Sequence, residues 1–283
     1  MVRDDFALMV LSHGRADTVN TIKAFQDSDY TGKWYIIIDN EDKQADKYIQ
    51  NFGKEHIIIF DKASYDGKFD IMDNFEGRGV PTYARNAFFD IAKDLGLKYF
   101  VMCEDDHEKI LARRVVNGVF VTIYVHHIDD IIEEVLNFMD NTPTTSITFS
   151  ETGDFIGGPN GVYKKGLTRK AMTSFFCKVD NRFEFLGRFN DDVNTYVEHG
   201  KKGKLFFTMS NINIHTAETQ IQTGGLTENY LKYGTYTKSF YSVMLNPFAV
   251  TIAEMGQFHK RIHHAIDWNK AVPVIISDVY KKK

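Results

Sequence analysis

The first hundred residues repeat one pattern: a short apolar run, a polar end, then an amphipathic stretch. Phe6 to Leu11, Trp34 to Ile38, His56 to Phe60 and Tyr99 to Cys103 are the apolar runs. Runs this short and continuous read as strands buried on both faces. Between them Thr18–Phe25, Lys43–Phe52 and Tyr83–Leu95 carry helical spacing, the last stopped by Gly96. Repeated βαβ units imply an α/β fold, with a mixed, mainly parallel sheet flanked by helices. Ligands of open parallel sheets sit beyond the carboxyl ends of the strands. The polar clusters that follow the runs therefore point to one cleft: Ser12-His13-Gly14-Arg15, Asp39-Asn40-Glu41-Asp42 and Glu104-Asp105-Asp106.

Beyond residue 106 the pattern changes. Ile110–Val116 and Val119–Tyr124 flank Asn117-Gly118, a strong hairpin signal. Ile128–Met139 reads as a helix, Thr145–Phe149 as a strand, Phe189–Gly200 as a helix, and Lys204 to Met209 as a strand running on to His215. The Gly157-Gly158-Pro159-Asn160-Gly161 loop opens no helix, and neither a Walker A nor a Gly-x-Gly-x-x-Gly motif occurs. No linker or repeat divides the chain. The expected organisation is a catalytic domain over 1–218 and a C-terminal extension over 219–283 packing on it.

Composition narrows the setting. No stretch approaches the roughly 20 apolar residues of a membrane helix, and the start MVRDDFALMVLSHG lacks a basic signal-peptide head. Cys103 and Cys177 sit in apolar surroundings and suit a reducing compartment, so the cytoplasm is expected, the host's for a phage-encoded protein. The net charge of -4 gives no global nucleic-acid signal, yet residues 161–204 hold ten Lys/Arg against five Asp/Glu.

Three consecutive acids after a buried strand repel one another and lose hydration. Glu104 and Asp106 alternate with Asp105, so the pair can face one pocket. Two carboxylates there suit Mn2+ or Mg2+ bridging to substrate phosphates, against a plain solvated turn. His215 could complete the metal site or be structural. Asp191 and Asp192, at a helix start, could cap it or serve as a general base. Arg85 could clamp a phosphate or make a surface ion pair.

The order of these pieces resembles a GT-A-fold glycosyltransferase. The match runs through SHGRADT, IIIDNED, PTYARNAFFDIAKDLGLKYFVMCEDDH and FNDDVNTYVEHGKKGKLFF, about residues 5 to 215. The resemblance implies a Rossmann-like GT-A sheet with a nucleotide-sugar donor, a UDP-sugar, over its carboxyl edge. Glu104-Asp105-Asp106 stands at the Asp-x-Asp (DXD) position, with Glu first. Donor contacts then fall to Ser12, His13, Arg15, Asp39, Arg85, Asn86, Glu104 and Asp105. Metal ligands fall to Glu104, Asp106 and His215, and the catalytic base of an inverting transfer to Asp191 or Asp192.

The segments YTKSFYSVMLNPFAVTI and HKRIHHAIDWNKAVPVIIS further resemble the tail of phage and TET/JBP-associated DNA-base glycosyltransferases. That implies a hydroxymethylated pyrimidine in duplex DNA as acceptor, and DNA modification as the role. Gly157, Gly158, Asn160, Lys164, Lys165 and Arg188 are the acceptor candidates, with Arg169-Lys170, Arg182 and Lys201-Lys202 adding positive charge. The rivals are a transferase acting on a surface glycan or protein, and a nucleotidyltransferase of similar fold. A non-enzymatic DNA-binding accessory protein is the third alternative.

Overall fold

The computed structural model describes residues 2–165, 170–216, 226–234, 236–256 and 260–272; the side chains of Lys164, Lys165, Thr227 and Glu228 lie outside the description. In chain order, β1 (Phe6–Leu11), α1 (Asn20–Gln26), β2 (Lys33–Asp39), α2 (Ala45–Phe52), β3 (Ile57–Phe60), α3 (Pro81–Asp94) and β4 (Tyr99–Cys103) realise the expected βαβ half. There follow β5 (His107–Val116), β6 (Val119–Tyr124), α4 (Ile128–Asn141), β7 (Thr144–Glu151), β8 (Ser174–Lys178), α5 (Asp191–Lys201) and β9 (Leu205–Thr216). The extension supplies α6 (Thr227–Tyr233), α7 (Thr237–Leu245), the hairpin β10 (Val250–Met255) and β11 (Arg261–Ile266), and α8 (Trp268–Ala271).

One sheet orders its strands β3-β2-β1-β4-β8-β7-β9-β5-β6. β1 to β4 pair in parallel, β8 runs against β4 and β7, and β5 runs against β9 and β6. With β7 parallel to β9, every strand except β8 and β5 points the same way. The sheet is thus mixed and mainly parallel, as the βαβ pattern implies.

Two apolar cores follow from burial on both faces. α1, α2 and α4 cover one face through Ile22, Phe25, Tyr48, Ile132 and Met139. α3 and α5 cover the other through Phe88, Phe89, Val193 and Tyr196. Phe6, Phe25, Phe149 and Phe176 are fully buried and form a ring-on-ring ladder through the first core, each burial contributing about 2–3 kcal/mol. The extension packs on α5: Trp268 stacks on Tyr196, and Tyr230 and Tyr241 flank Phe189. A side chain on Gly200 would meet the Ala271 carbonyl oxygen at 2.5 Å, so this contact needs glycine.

Of the boundaries that differ from the sequence reading, two bear on the cleft. β5 begins at His107 rather than Ile110, because the His107 amide donates to Thr21 Oγ1, binding the acidic turn to α1. β7 runs to Glu151 rather than Phe149, because Ser150 and Glu151 stay paired with Asn213 and Ile214 of β9.

Candidate active site

The carboxyl ends of β1, β2, β4 and β7 bring their polar residues to one edge. The first group belongs to β1 and β2. Asp39 accepts from His13 Nδ1 at 2.8 Å and from Lys62 Nζ at 3.0 Å, with Asp39 and Lys62 each about 5% exposed. Burial alone would raise the Asp39 carboxyl, but His13 and Lys62 hold it down at about 2, and His13 is raised in return. The loop after β1 has little backbone left for a phosphate. The amide of Ser12 donates to Ile37, that of Gly14 to Asp42, that of Arg15 to Tyr48 and that of Ala16 to Gln44. A ligand bound here would meet side chains.

Asp105 points into this group and not into the cleft beside its neighbours. It accepts from Ser12 Oγ at 2.6 Å and from Arg15 Nη1 at 2.9 Å, and it is 3% exposed. Its carbonyl accepts the Asn20 amide at the start of α1, and the Glu104 carbonyl accepts Thr21 Oγ1. The acidic turn is therefore clamped from both sides, with its alternate side chains sent to opposite sides, as a strand end requires.

The second group centres on Arg85. This guanidinium from α3 is 2% exposed, donates to Glu104 Oε1 at 2.5 Å and lies 3.4 Å from Asp191 Oδ2. Phe175 and Phe185 flank it, with ring centroids 5.6 and 5.3 Å from its central carbon. Arg85 is neither a surface ion pair nor open to the cleft; it ties β4 to the start of α5. Asn190 sits just before α5 in the left-handed region, at φ 53°, which turns Asp191 inward. Burial comes first for the acids: it raises Glu104 and Asp191, Arg85 opposes the rise, and the neighbouring carboxylates reinforce it. Asp106 is pushed up too, by burial and then by Asp105, and its Oδ1 is buried without a hydrogen-bond partner.

That orphaned oxygen tests whether a divalent cation fits. An anionic carboxylate oxygen without a donor, beside a second acid whose side chain is 28% exposed, suits a hard cation that keeps water and substrate oxygens. The expected trio is not assembled, however. His215 lies 3.4 Å from Glu108, on a strand position opposite Lys109, and is 38% exposed. Among the described residues no three His, Cys, Asp or Glu side chains gather as a metal-ligand set. His107 is fully buried, both ring nitrogens lack partners, and burial holds it neutral, down at about 3.

Several sequence candidates have other work. The Asn86 amide is used up by the Thr82 and Phe185 carbonyls and the Phe185 amide, fastening α3 to the 183–187 segment. Arg188 is 2% exposed and pairs with Asp73 while donating to the Phe75 and Gly77 carbonyls, so it organises the 70–78 loop. Arg182 pairs with Asp90, and Lys201 and Lys202 with Glu198. Gly157 and Gly158 both have positive φ, and a side chain on Gly161 would strike the Ile156 carbonyl oxygen at 2.2 Å. This loop folds tightly on itself, leaving Asn160 exposed. The Lys164 and Lys165 side chains and Arg169 lie outside the described residues.

Glu151 is the site residue that the sequence reading omits. It ends β7, accepts from Thr173 Oγ1, and is raised first by burial and then by Glu104, Asp154 and Asp106. Thr173 itself has φ 53°, a costly conformation for a β-branched residue. The strand-end rule that found Glu104 would have found Glu151, had the strand been carried two residues further.

With this geometry in view, a family model described as TET-associated glycosyltransferase matches residues 6–225. No curated protein matches the chain. Among solved structures the chain is similar to glucosyl-3-phosphoglycerate synthase from Mycobacterium tuberculosis in complex with Mn2+, UDP and phosphoglyceric acid. Identity is 6%, the TM-score 0.46, and coverage 92% of this chain and 86% of that one. The same synthase with Mg2+ and UDP gives 6% identity, a TM-score of 0.47, and coverage of 92% and 87%.

Proposed function

The chain belongs to the TET-associated glycosyltransferase family, and from that premise we propose that it moves a sugar from a UDP-sugar to the hydroxymethyl group of a modified pyrimidine in DNA. The observation that carries the donor half is Arg85. It fastens Glu104 at the end of β4 to Asp191 at the start of α5, so donor-side and acceptor-side acids share one cleft.

Asp106 and Glu104 are the residues that would hold Mn2+ or Mg2+. A cation bound there would neutralise the diphosphate as negative charge builds on it. Asp191, 4% exposed and facing Arg85, is placed to position its neighbour. Asp192, half-buried beside it, is the group left to accept a proton. In the transfer, the acceptor oxygen forms a bond to the anomeric carbon as the bond to the diphosphate breaks. The hydroxyl proton passes to Asp192, the bonding pair leaves with the nucleotide, and the anomeric configuration inverts. Ser12, His13, Arg15 and Asp39 line the nucleotide side of the same edge, with Asp105 holding Ser12 and Arg15 in place.

The acceptor half rests on the family and on the C-terminal segments that resemble DNA-base glycosyltransferases. Membership of a glycosyltransferase family sets the nucleotidyltransferase and non-enzymatic readings aside. The test is transfer of radiolabelled sugar from UDP-sugars to duplexes containing 5-hydroxymethyluracil, 5-hydroxymethylcytosine or unmodified bases, and to a bacterial surface glycan. Label in the hydroxymethylated duplex alone is expected. Label in the glycan and none in DNA would replace this acceptor.

A further inference from the structure

Part of the positive charge that the sequence concentrates over 161–204 is held in ion pairs among the described residues. Arg182, Arg188, Lys201 and Lys202 each pair with a carboxylate. A second group of cations, drawn from separate parts of the chain, has no such partner. Lys170, Lys238 and Arg261 form no ion pair among the described residues. Lys238 is on α7 and Arg261 on β11, both in the extension, while Lys170 precedes β8.

Specific bonds join the elements that carry Lys238, Arg261 and His264 to the residue before α5. Asn190, the residue before the Asp191-Asp192 pair, donates from Nδ2 to the Lys238 carbonyl at 2.7 Å and lies 3.1 Å from His264 Nδ1. Ser239 Oγ donates to the Ile262 carbonyl, fixing α7 against β11. Thr208 Oγ1 holds the Lys170 carbonyl from β9. His264 is 7% exposed and its Nε2 is buried with no hydrogen-bond partner. Burial lowers Lys170, Lys238 and His264, and like charges add to the effect: Arg261 and Lys170 act on Lys238, and both lysines on His264. Lys238 and Arg261, neither with a carboxylate partner among the described residues, thus stand on adjoining elements beside an unsatisfied imidazole and the residue that precedes Asp191-Asp192, a donor set suited to an anion.

We propose that Lys170, Lys238, Arg261 and His264 form a phosphate site for the acceptor, so that the C-terminal extension supplies the charge that seats the acceptor beside Asp192. This deepens the DNA-acceptor reading and rests on it for the source of the phosphate. The chemistry recognised is a phosphate ester, carried either by a nucleic-acid backbone or by a small phosphorylated acceptor.

The test uses the full chain and a fluorescent duplex containing 5-hydroxymethyluracil, with affinity measured between about 50 and 200 mM salt. K238E/R261E should weaken binding at least tenfold and lower the log–log salt slope by about 2, roughly one unit for each phosphate no longer neutralised. The neutral pair K238Q/R261Q should show the same slope change, with an unaltered melting temperature reporting an intact fold. The same reversal at Lys201 and Lys202, which are tied to Glu198, should move affinity less than threefold. Unchanged affinity and slope in both Lys238/Arg261 pairs would overturn the proposal. If the wild-type chain ignores the duplex, 5-hydroxymethyluridine 5′-monophosphate and its unphosphorylated nucleoside are compared as acceptors. A lower KM for the monophosphate that vanishes in K238Q/R261Q keeps the phosphate site and removes DNA. Equal KM values remove the site as well.

Discussion

Arg85 and Glu104 form a 2.5 Å ion pair in which the guanidinium is 2% exposed and the carboxylate 28%. The positive charge is thus the deeper partner, and Asp191 approaches it from the other side. Replacing Arg85 would leave the buried Asp191 and the part-buried Glu104 without a cation between them. Arg85→Met should therefore lose about 3 kcal/mol of stability, the lower end for breaking a buried pair because Glu104 keeps some solvent. Arg85→Lys should recover little, since one ammonium cannot reach both acids in the fork geometry. Urea unfolding checks this; a loss under about 1 kcal/mol would show that the pair is not the tie between β4 and α5.

Asp191 and Asp192 should separate by their readouts. Asp191→Asn weakens the contact with Arg85 and should lower both stability and kcat. Asp192→Asn should leave the unfolding midpoint in place while kcat falls by a factor of about 100 to 10,000, the range for loss of a general base. Steady-state kinetics beside thermal melts distinguish them, and near-normal turnover in Asp192→Asn would remove it as the base.

The His13–Asp39 pair carries a pH signature. His13 is raised above its ordinary value, chiefly by its hydrogen bond to Asp39. Its contribution to stability is therefore complete below about 6.5 and is lost as pH rises through the folded value. Asp39, held at about 2, contributes above about 4 and loses that contribution as pH falls toward 2. An NMR titration should place His13 above 6.5 in the wild type and lower in Asp39→Asn. No change between the two would contradict the pairing.

How much of this was legible in the sequence depends on how local each cause is. Ser12, His13, Asp39 and Glu104–Asp106 announce themselves because an apolar run that stops abruptly is a local signal, and parallel strands then carry those ends to one edge. The alternation of Asp105 with its neighbours follows from strand geometry in the same way. Glu151 escapes because the apolar signal of β7 ends at Phe149, while Ser150 and Glu151 stay paired with β9. The burial of Arg188 could not be read, because its partner Asp73 is 115 residues away. Lys62 is likewise silent in sequence, a lysine after a strand that ends buried against Asp39. The charge count over 161–204 does not show which cations are paired, because ion pairing is decided by the fold.

The proposed function requires that Asp106 and Glu104 hold a cation for a sugar nucleotide. The most direct measurement is calorimetric titration of UDP-glucose into the full chain with Mn2+, with EDTA, and with Asp106→Asn in Mn2+. Donor binding is expected with Mn2+ in the wild type, and both EDTA and the substitution should weaken it at least tenfold. Equal donor affinity in all three would contradict the assignment of this acid cluster as the metal-bearing donor site.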